Sequence, residues 1–107
     1  MSHATRILEL LEYARQRKEM YFSPIDGKTV GNVLQGFLFG CFACGVENPH
    51  FIRDKVIEEH GWALNAMGLE NQFREQGMSE LQIAEELLAI EIETWRRLAA
   101  MEPTLEK

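Results

Sequence analysis

The apolar residues of this chain recur at intervals of three and four, which is the spacing of one face of an α-helix. The pattern is clear near the N-terminus, where Ile7, Leu8, Leu11 and Ala14 predict an amphipathic helix over residues 5–18. No segment alternates apolar and polar residues for long, as a half-buried strand would. The sequence therefore predicts an all-α fold, and we expect a single domain, residues 1–107, built as a bundle of four to five helices.

A second helix is predicted from Thr29 to Cys44. Its apolar positions form a broad face and are Val30, Val33, Leu34, Phe37, Leu38 and Cys41. Between the two helices lie Met20, Tyr21 and Phe22, which are large and apolar for a loop. We expect these three side chains to tuck under the bundle.

A third helix is predicted over residues 49–60. Asn48 is expected to cap it, and Pro49 is tolerated in the first turn, where its missing N–H costs nothing. Gly61 suits the position that closes a helix. On the spacing of the segment, Ile52 and Val56 should face inward.

The segment 62–78 is the least regular, because Gly68 and Gly77 interrupt any long helix. We predict one or two helical turns there, and burial of its large residues, namely Trp62, Leu64, Met67, Leu69 and Phe73. A last helix then begins at Ser79, which forms a capping box with Gln82, and Pro103 marks its end.

The start of this last helix is similar to the first helix of a helix-turn-helix motif, through Gly77, Ser79, Ile83, Ala84 and Leu87. The turn of such a motif is missing, because the helical pattern continues without a break. Residues 79–102 also carry six acidic and two basic side chains. A recognition helix that faces phosphates needs the opposite charge, so we reject this interpretation.

The overall charge limits the class of partner. The chain has 17 acidic and 11 basic residues and a formal net charge of -6. This balance argues against nucleic acids and against anionic membrane surfaces as partners. Two cysteines are too few for a disulfide framework, and the first residues lack the apolar region of a signal peptide. We therefore expect a cytoplasmic protein with reduced thiols.

The run from Thr29 to Val46 contains no charged residue and touches the lower length limit for a membrane-spanning helix. Asn32 and Gln35 interrupt it, so burial inside a protein is the better prediction. Within this run, Gly36 and Gly40 are spaced so that another helix can approach closely. We expect a tight crossing inside the fold, with a dimer contact as the alternative.

Cys41 and Cys44 point to the same side of the second helix and could share a metal ion or form a redox pair. His50 and His60 are the obvious further ligands, but their spacing does not match a zinc site. The cysteines also fall at a helix C-terminus, where the dipole opposes a thiolate. We therefore favour a packing role for both as small buried residues beside the two glycines. A metal or thiol-redox site is the alternative, and no cofactor is predicted.

The chain offers no recognisable catalytic set. It lacks a phosphate-binding loop and a dinucleotide fingerprint, and the sequence leans against an enzyme. The glutamates of the last helix predict an exposed acidic stripe, formed by Glu85, Glu86, Glu91 and Glu93. A pocket for a small ligand between helices leaves no linear motif and stays a further alternative. The aromatic residues that could line one are Tyr21, Phe22, Trp62 and Trp95.

The segments LLEYARQRKEMYF and VGNVLQGFLFGCFACG resemble a pattern in small bacterial helical proteins, some of which are taken to be immunity or antitoxin-like partners. The pattern is a first helix, an RPxMYF-like turn and an apolar helix centred on Gly-Phe. The likeness covers residues 1–45 and rests on Arg17, Met20, Tyr21, Phe22, Gly36 and Phe37, while Lys18 stands where the pattern has proline. The resemblance implies a role through protein contacts, as a homo-oligomer or an immunity-like partner.

Overall fold

The computed structural model describes residues 2–65 and 68–101, and over these residues the fold is all-α, with no strand. The helices are α1 (His3–Gln16), α2 (Lys18–Tyr21), α3 (Gly27–Ala43), α4 (His50–Glu59), α5 (Leu69–Glu75) and α6 (Glu80–Met101). The all-α prediction is confirmed. The described residues form more helices than the four to five predicted. Helix α5 confirms the helical turns predicted within residues 62–78, whereas α2 is a short helix that the apolar spacing does not resolve.

Among the described helices, α1, α3 and α6 begin with ordinary side-chain caps. The Ser2 hydroxyl accepts a hydrogen bond from the Thr5 N–H, and the Asp26 carboxylate accepts one from the Thr29 N–H at 2.7 Å. Because Asp26 is the cap, α3 begins two residues earlier than predicted. The capping box is confirmed, since Ser79 and Gln82 each donate a backbone N–H to the other's side chain.

The predicted cap of α4 is wrong. Pro49 occupies the N-cap position and makes no side-chain cap. The Asn48 side chain instead accepts a hydrogen bond from the guanidinium of Arg53, one turn into the helix. Charge-assisted hydrogen bonds are stronger than neutral ones, which favours this use of the amide oxygen over capping.

Helix α6 is the central element, since α1, α3, α4 and α5 all pack against it. It is unbroken over 22 residues, in agreement with the rejection of a helix-turn-helix. One cluster of buried side chains lies between α1, α3 and α6 and contains Ala4, Ile7, Leu11, Phe22, Val30, Leu34, Ala84, Leu88, Ile92 and Trp95. A second lies between α4, α5 and α6 and contains Val56, Ile57, Phe73, Ile83 and Ile90.

The segments 20–22 and 62–78 are only partly buried. Phe22 is buried as predicted, but Met20 and Tyr21 are exposed, so the prediction that all three tuck under the bundle is wrong. In the segment 62–78, Phe73 is buried and Trp62 and Leu69 pack against it at the edge of the second cluster. Leu64 is exposed, contrary to prediction, and Met67 lies outside the described residues. On α4, Val56 is buried and Ile52 half-buried.

Candidate protein-interaction surface

The predicted metal ligands do not come together. Cys41 is half-buried on α3, whereas Cys44 is exposed, so the prediction that both thiols are buried is wrong for Cys44. His50 lies beside the Asn48 carbonyl, and His60 pairs with Glu86 at 2.8 Å. In residues 2–65 and 68–101, no group of three or more His, Cys, Asp or Glu side chains could hold a metal ion. A thiol-redox role stays a prediction.

The four aromatic candidates for a pocket are spread over the molecule. Phe22 and Trp95 are buried in the first cluster, while Trp62 packs against the second. Tyr21 is exposed and meets Tyr13 edge to face, with 6.2 Å between ring centroids. The structure therefore does not bring these four candidates together at one place, and a small-ligand pocket stays an alternative.

The glutamates of α6 are not a free acidic stripe. Glu85 pairs with Lys18 at 2.7 Å, and Glu86 accepts hydrogen bonds from the rings of His60 and Trp62. Glu93 pairs with Arg96 and Arg97. Each carboxylate therefore has a partner within the chain, and the prediction of a solvated stripe is wrong.

Glu91 departs furthest from that prediction, since it is 4% exposed. Its two oxygens accept a bidentate pair of hydrogen bonds from Arg53, at 2.9 and 2.7 Å, which joins α4 to α6. The buried indole N–H of Trp95, one turn further along α6, donates to the same carboxylate at 2.9 Å. The cluster satisfies a charge that burial would otherwise penalise heavily.

Several of these carboxylates are held in their ionised form. The backbone N–H of Gly27 donates to Glu80 at 3.1 Å, and together with Arg74 it lowers the pKa of that carboxyl below 4.5. Hydrogen bonds from Arg97 and Arg96 lower the pKa of Glu93 in the same way. The charges of α6 thus bind its neighbours to it and leave little for an outside partner.

The glycines of α3 show where close packing occurs. A Cβ at Gly36 or Gly40 would meet none of the described residues within 4 Å, so the predicted tight crossing inside the fold is wrong. The close contacts lie at the other end of the helix. There a Cβ on Gly27 would lie 2.5 Å from the Cγ2 of Ile83, and one on Gly31 would lie 2.8 Å from Glu70. Gly36 and Gly40 face outward.

Three large aromatic side chains are exposed close to these outward glycines along the chain. Phe39, Phe42 and Phe51 are 80%, 69% and 79% exposed. We call the outer side of the C-terminal half of α3 the phenylalanine surface. It comprises Gly36, Phe39, Gly40, Phe42 and Ala43.

A shallow apolar groove of about 500 Å³ between α1 and α3 adjoins this surface, and Gly40 is one of its lining residues. Its floor contains Ile7, Phe37 and Cys41, and the pKa of the Cys41 thiol is raised, chiefly by burial. Arg6 is another of its lining residues. The groove therefore extends the apolar surface toward a cation.

No family model matches the chain, and no curated protein or solved structure matches it either. In the part of the chain that the structure describes, no helix is both long and apolar enough to cross a membrane. The phenylalanine surface is a feature that the sequence reasoning missed. Its signal was present in the spacing of Phe39 and Phe42, which fall outside the 3.6-residue stripe that faces α6.

Proposed function

We propose that this protein acts by binding protein chains through the phenylalanine surface. The observation that carries the proposal is the exposure of Phe39 and Phe42 within a run of α3 that has no charged residue. The two residues are three apart on one helix, so their rings are neighbours. Exposed apolar patches are often functional, and we take this pair of rings as the place where another protein docks.

The distribution of charge supports the same choice of surface. The carboxylates of α6 pair with side chains of α1, α2, α4 and α5, so they are already occupied within the chain. Aromatic residues are enriched at interfaces, and charged residues are depleted at their centres. The phenylalanine surface has both properties.

The resemblance of residues 1–45 to small bacterial helical proteins with immunity-like roles supports a protein partner as well. We propose the bacterial cytoplasm as the setting, in which Cys41 and Cys44 stay reduced. Catalysis is not part of this proposal.

Site-specific photo-crosslinking in cells tests the proposal. A photoreactive phenylalanine analogue placed at Phe39 or Phe42 should give covalent products with a protein partner. The same analogue at Leu81, which is exposed at the start of α6, is the matched control and should give none. Absence of products at both phenylalanines, or equal products at Leu81, would refute the proposal. The mass of the product shows whether the partner is another copy of this chain.

A further inference from the structure

We infer that the partner at the phenylalanine surface is a second copy of this chain, bound by the same surface about a two-fold axis. This inference rests on the proposed function and names its partner. A two-fold contact requires a surface that fits itself, since each residue of one copy meets the other copy's version of the same patch.

The shape of α3 meets this requirement. Gly36, Gly40 and Ala43 recur at intervals of four and three, so they lie along one side of the helix and form a groove. Phe39 and Phe42 lie on the adjacent line and form a ridge. Two helices pack when the ridge of one fills the groove of the other. Since a Cβ at Gly36 or Gly40 would meet none of the described atoms within 4 Å, the groove is open in the single chain.

The exposed rings supply part of the area that a dimer needs. At their observed exposures, Phe39 and Phe42 present roughly 220–370 Å², given that a phenylalanine buries about 150–250 Å² in a full contact. Leu10, which is exposed beside the groove between α1 and α3, adds to this area. A standard interface buries about 800 Å² per partner, so we expect a small interface and a weak dimer.

Charge also favours a contact at this surface over any other. Two copies of a chain of net charge -6 repel one another, and they can associate stably only where the contact excludes like charges. The run from Thr29 to Val46 is uncharged. At its edge, Arg6 adds a positive charge, which an acidic second copy does not repel.

Sedimentation velocity over a range of concentrations tests the inference on purified protein. The wild-type chain should shift from the mass of one chain to that of two as its concentration rises toward about 100 µM. Phe39→Asp should raise the dissociation constant by about 100-fold, because it places a charge at the centre of the contact. Leu81→Asp introduces the same charge at an exposed leucine outside the surface and should dimerise like the wild type. A wild type that remains a single chain throughout would overturn the inference, as would equal dimerisation of Phe39→Asp.

A glycine series keeps the test decisive if Phe39→Asp fails to fold. Gly40→Ala and Gly40→Leu both replace a helical glycine where there is open space, so both should fold at least as well as the wild type. Leucine fills the groove and alanine barely does, so dimerisation should weaken far more in Gly40→Leu. Equal dimerisation of the wild type and Gly40→Leu would rule out packing of a second copy at this groove.

The two proposals can fail separately. Protein that stays a single chain in solution, together with a crosslink from Phe39 to a different protein, would overturn the second copy and keep the proposed function. A single chain with no crosslink from Phe39 would overturn both. A crosslinked product of two identical chains, lost in Gly40→Leu, would support both.

Discussion

The two longest helices that the structure describes, α6 and α3, differ in the chemistry of their side chains. Along α6, five glutamates pair with groups of the same chain, most of them outside α6. Along the C-terminal half of α3, the outward side chains include Phe39 and Phe42, which are large, apolar and exposed. The difference teaches that this acidic chain uses charges of α6 within the fold and exposes an uncharged part of α3.

Removal of the buried carboxylate should give the largest effect on the fold. We expect Glu91→Ala to lower the free energy of unfolding by about 3–5 kcal/mol, because it leaves the Arg53 charge and the Trp95 N–H without their shared acceptor. Urea denaturation followed by tryptophan fluorescence measures the change. The same measurement on Phe39→Asp should show little loss of monomer stability, because Phe39 is exposed.

The exposed pair of Arg96 with Glu12 provides the control for that experiment. Arg96→Met should change the free energy of unfolding by less than about 1 kcal/mol, as exposed ion pairs generally do. A similar loss of unfolding free energy in Glu91→Ala and Arg96→Met would show that the buried cluster on α6 stabilises the fold no more than an exposed ion pair does.

Two glycines of α3 test the difference between the packed end and the open end of that helix. Gly27→Ala should lower the free energy of unfolding by about 1–3 kcal/mol, because its Cβ would collide with the wholly buried Ile83. Gly40→Ala should raise the monomer's free energy of unfolding by about 0.5–1 kcal/mol, since it removes backbone entropy from the unfolded chain without a clash. Thermal or urea unfolding at low protein concentration measures both. Changes of the same sign would contradict the assignment of Gly27 to the packed end of α3 and Gly40 to the open end.

Acid should weaken the α6 contacts progressively. The pKa values of Glu59, Glu80 and Glu93 are lowered by hydrogen bonds from Arg97, from Gly27 and from Arg97 respectively. The unfolded chain therefore binds more protons, so stability is complete above pH 4.5 and is lost as the pH falls through the lowered values. Glu80→Gln should show a smaller loss of stability between about pH 7 and about pH 3 than the wild type does. An unchanged pH dependence would contradict a role for Glu80 as a charged contact.

The smallest expected effect is a difference between the alkylation rates of the two thiols, and it involves no change in the free energy of unfolding. Cys44 is exposed, whereas burial raises the pKa of the Cys41 thiol. Alkylation at mildly alkaline pH, followed by mass spectrometry of the peptides, should therefore modify Cys44 well before Cys41. Equal rates at the two positions would show that Cys41 is more accessible than the groove between α1 and α3 allows.

The helices could be predicted from the sequence because apolar spacing and capping residues act locally. Ser79 with Gln82 marked the start of α6 correctly, and Val30 and Leu34 face the core as predicted, whereas Val33 of the same predicted face is exposed. The exposed side of α3 could not be predicted in the same way. Gly27 and Gly31 have the same four-residue spacing as Gly36 and Gly40, and only tertiary packing decides which pair lies against a neighbour.

The prediction of an exposed acidic stripe on α6 was wrong for a related reason. Their partners, Lys18, Arg53 and His60, are distant in sequence, and nothing local indicates that they converge on one helix. The burial of Glu91 had one signal in the sequence, which was its position on the apolar side of the helix. It lies one turn before Trp95 and one turn after Leu87, on a face that is otherwise largely apolar.

The most direct test of the central claim is fluorine NMR of protein in which all six phenylalanines carry a ring fluorine. As the concentration rises, the resonances of Phe39 and Phe42 should shift or broaden, because a second copy covers them. The resonances of Phe22 and Phe73, which are buried in the two clusters, should stay fixed and serve as internal controls. Resonances of Phe39 and Phe42 that remain unchanged at every concentration would contradict the claim.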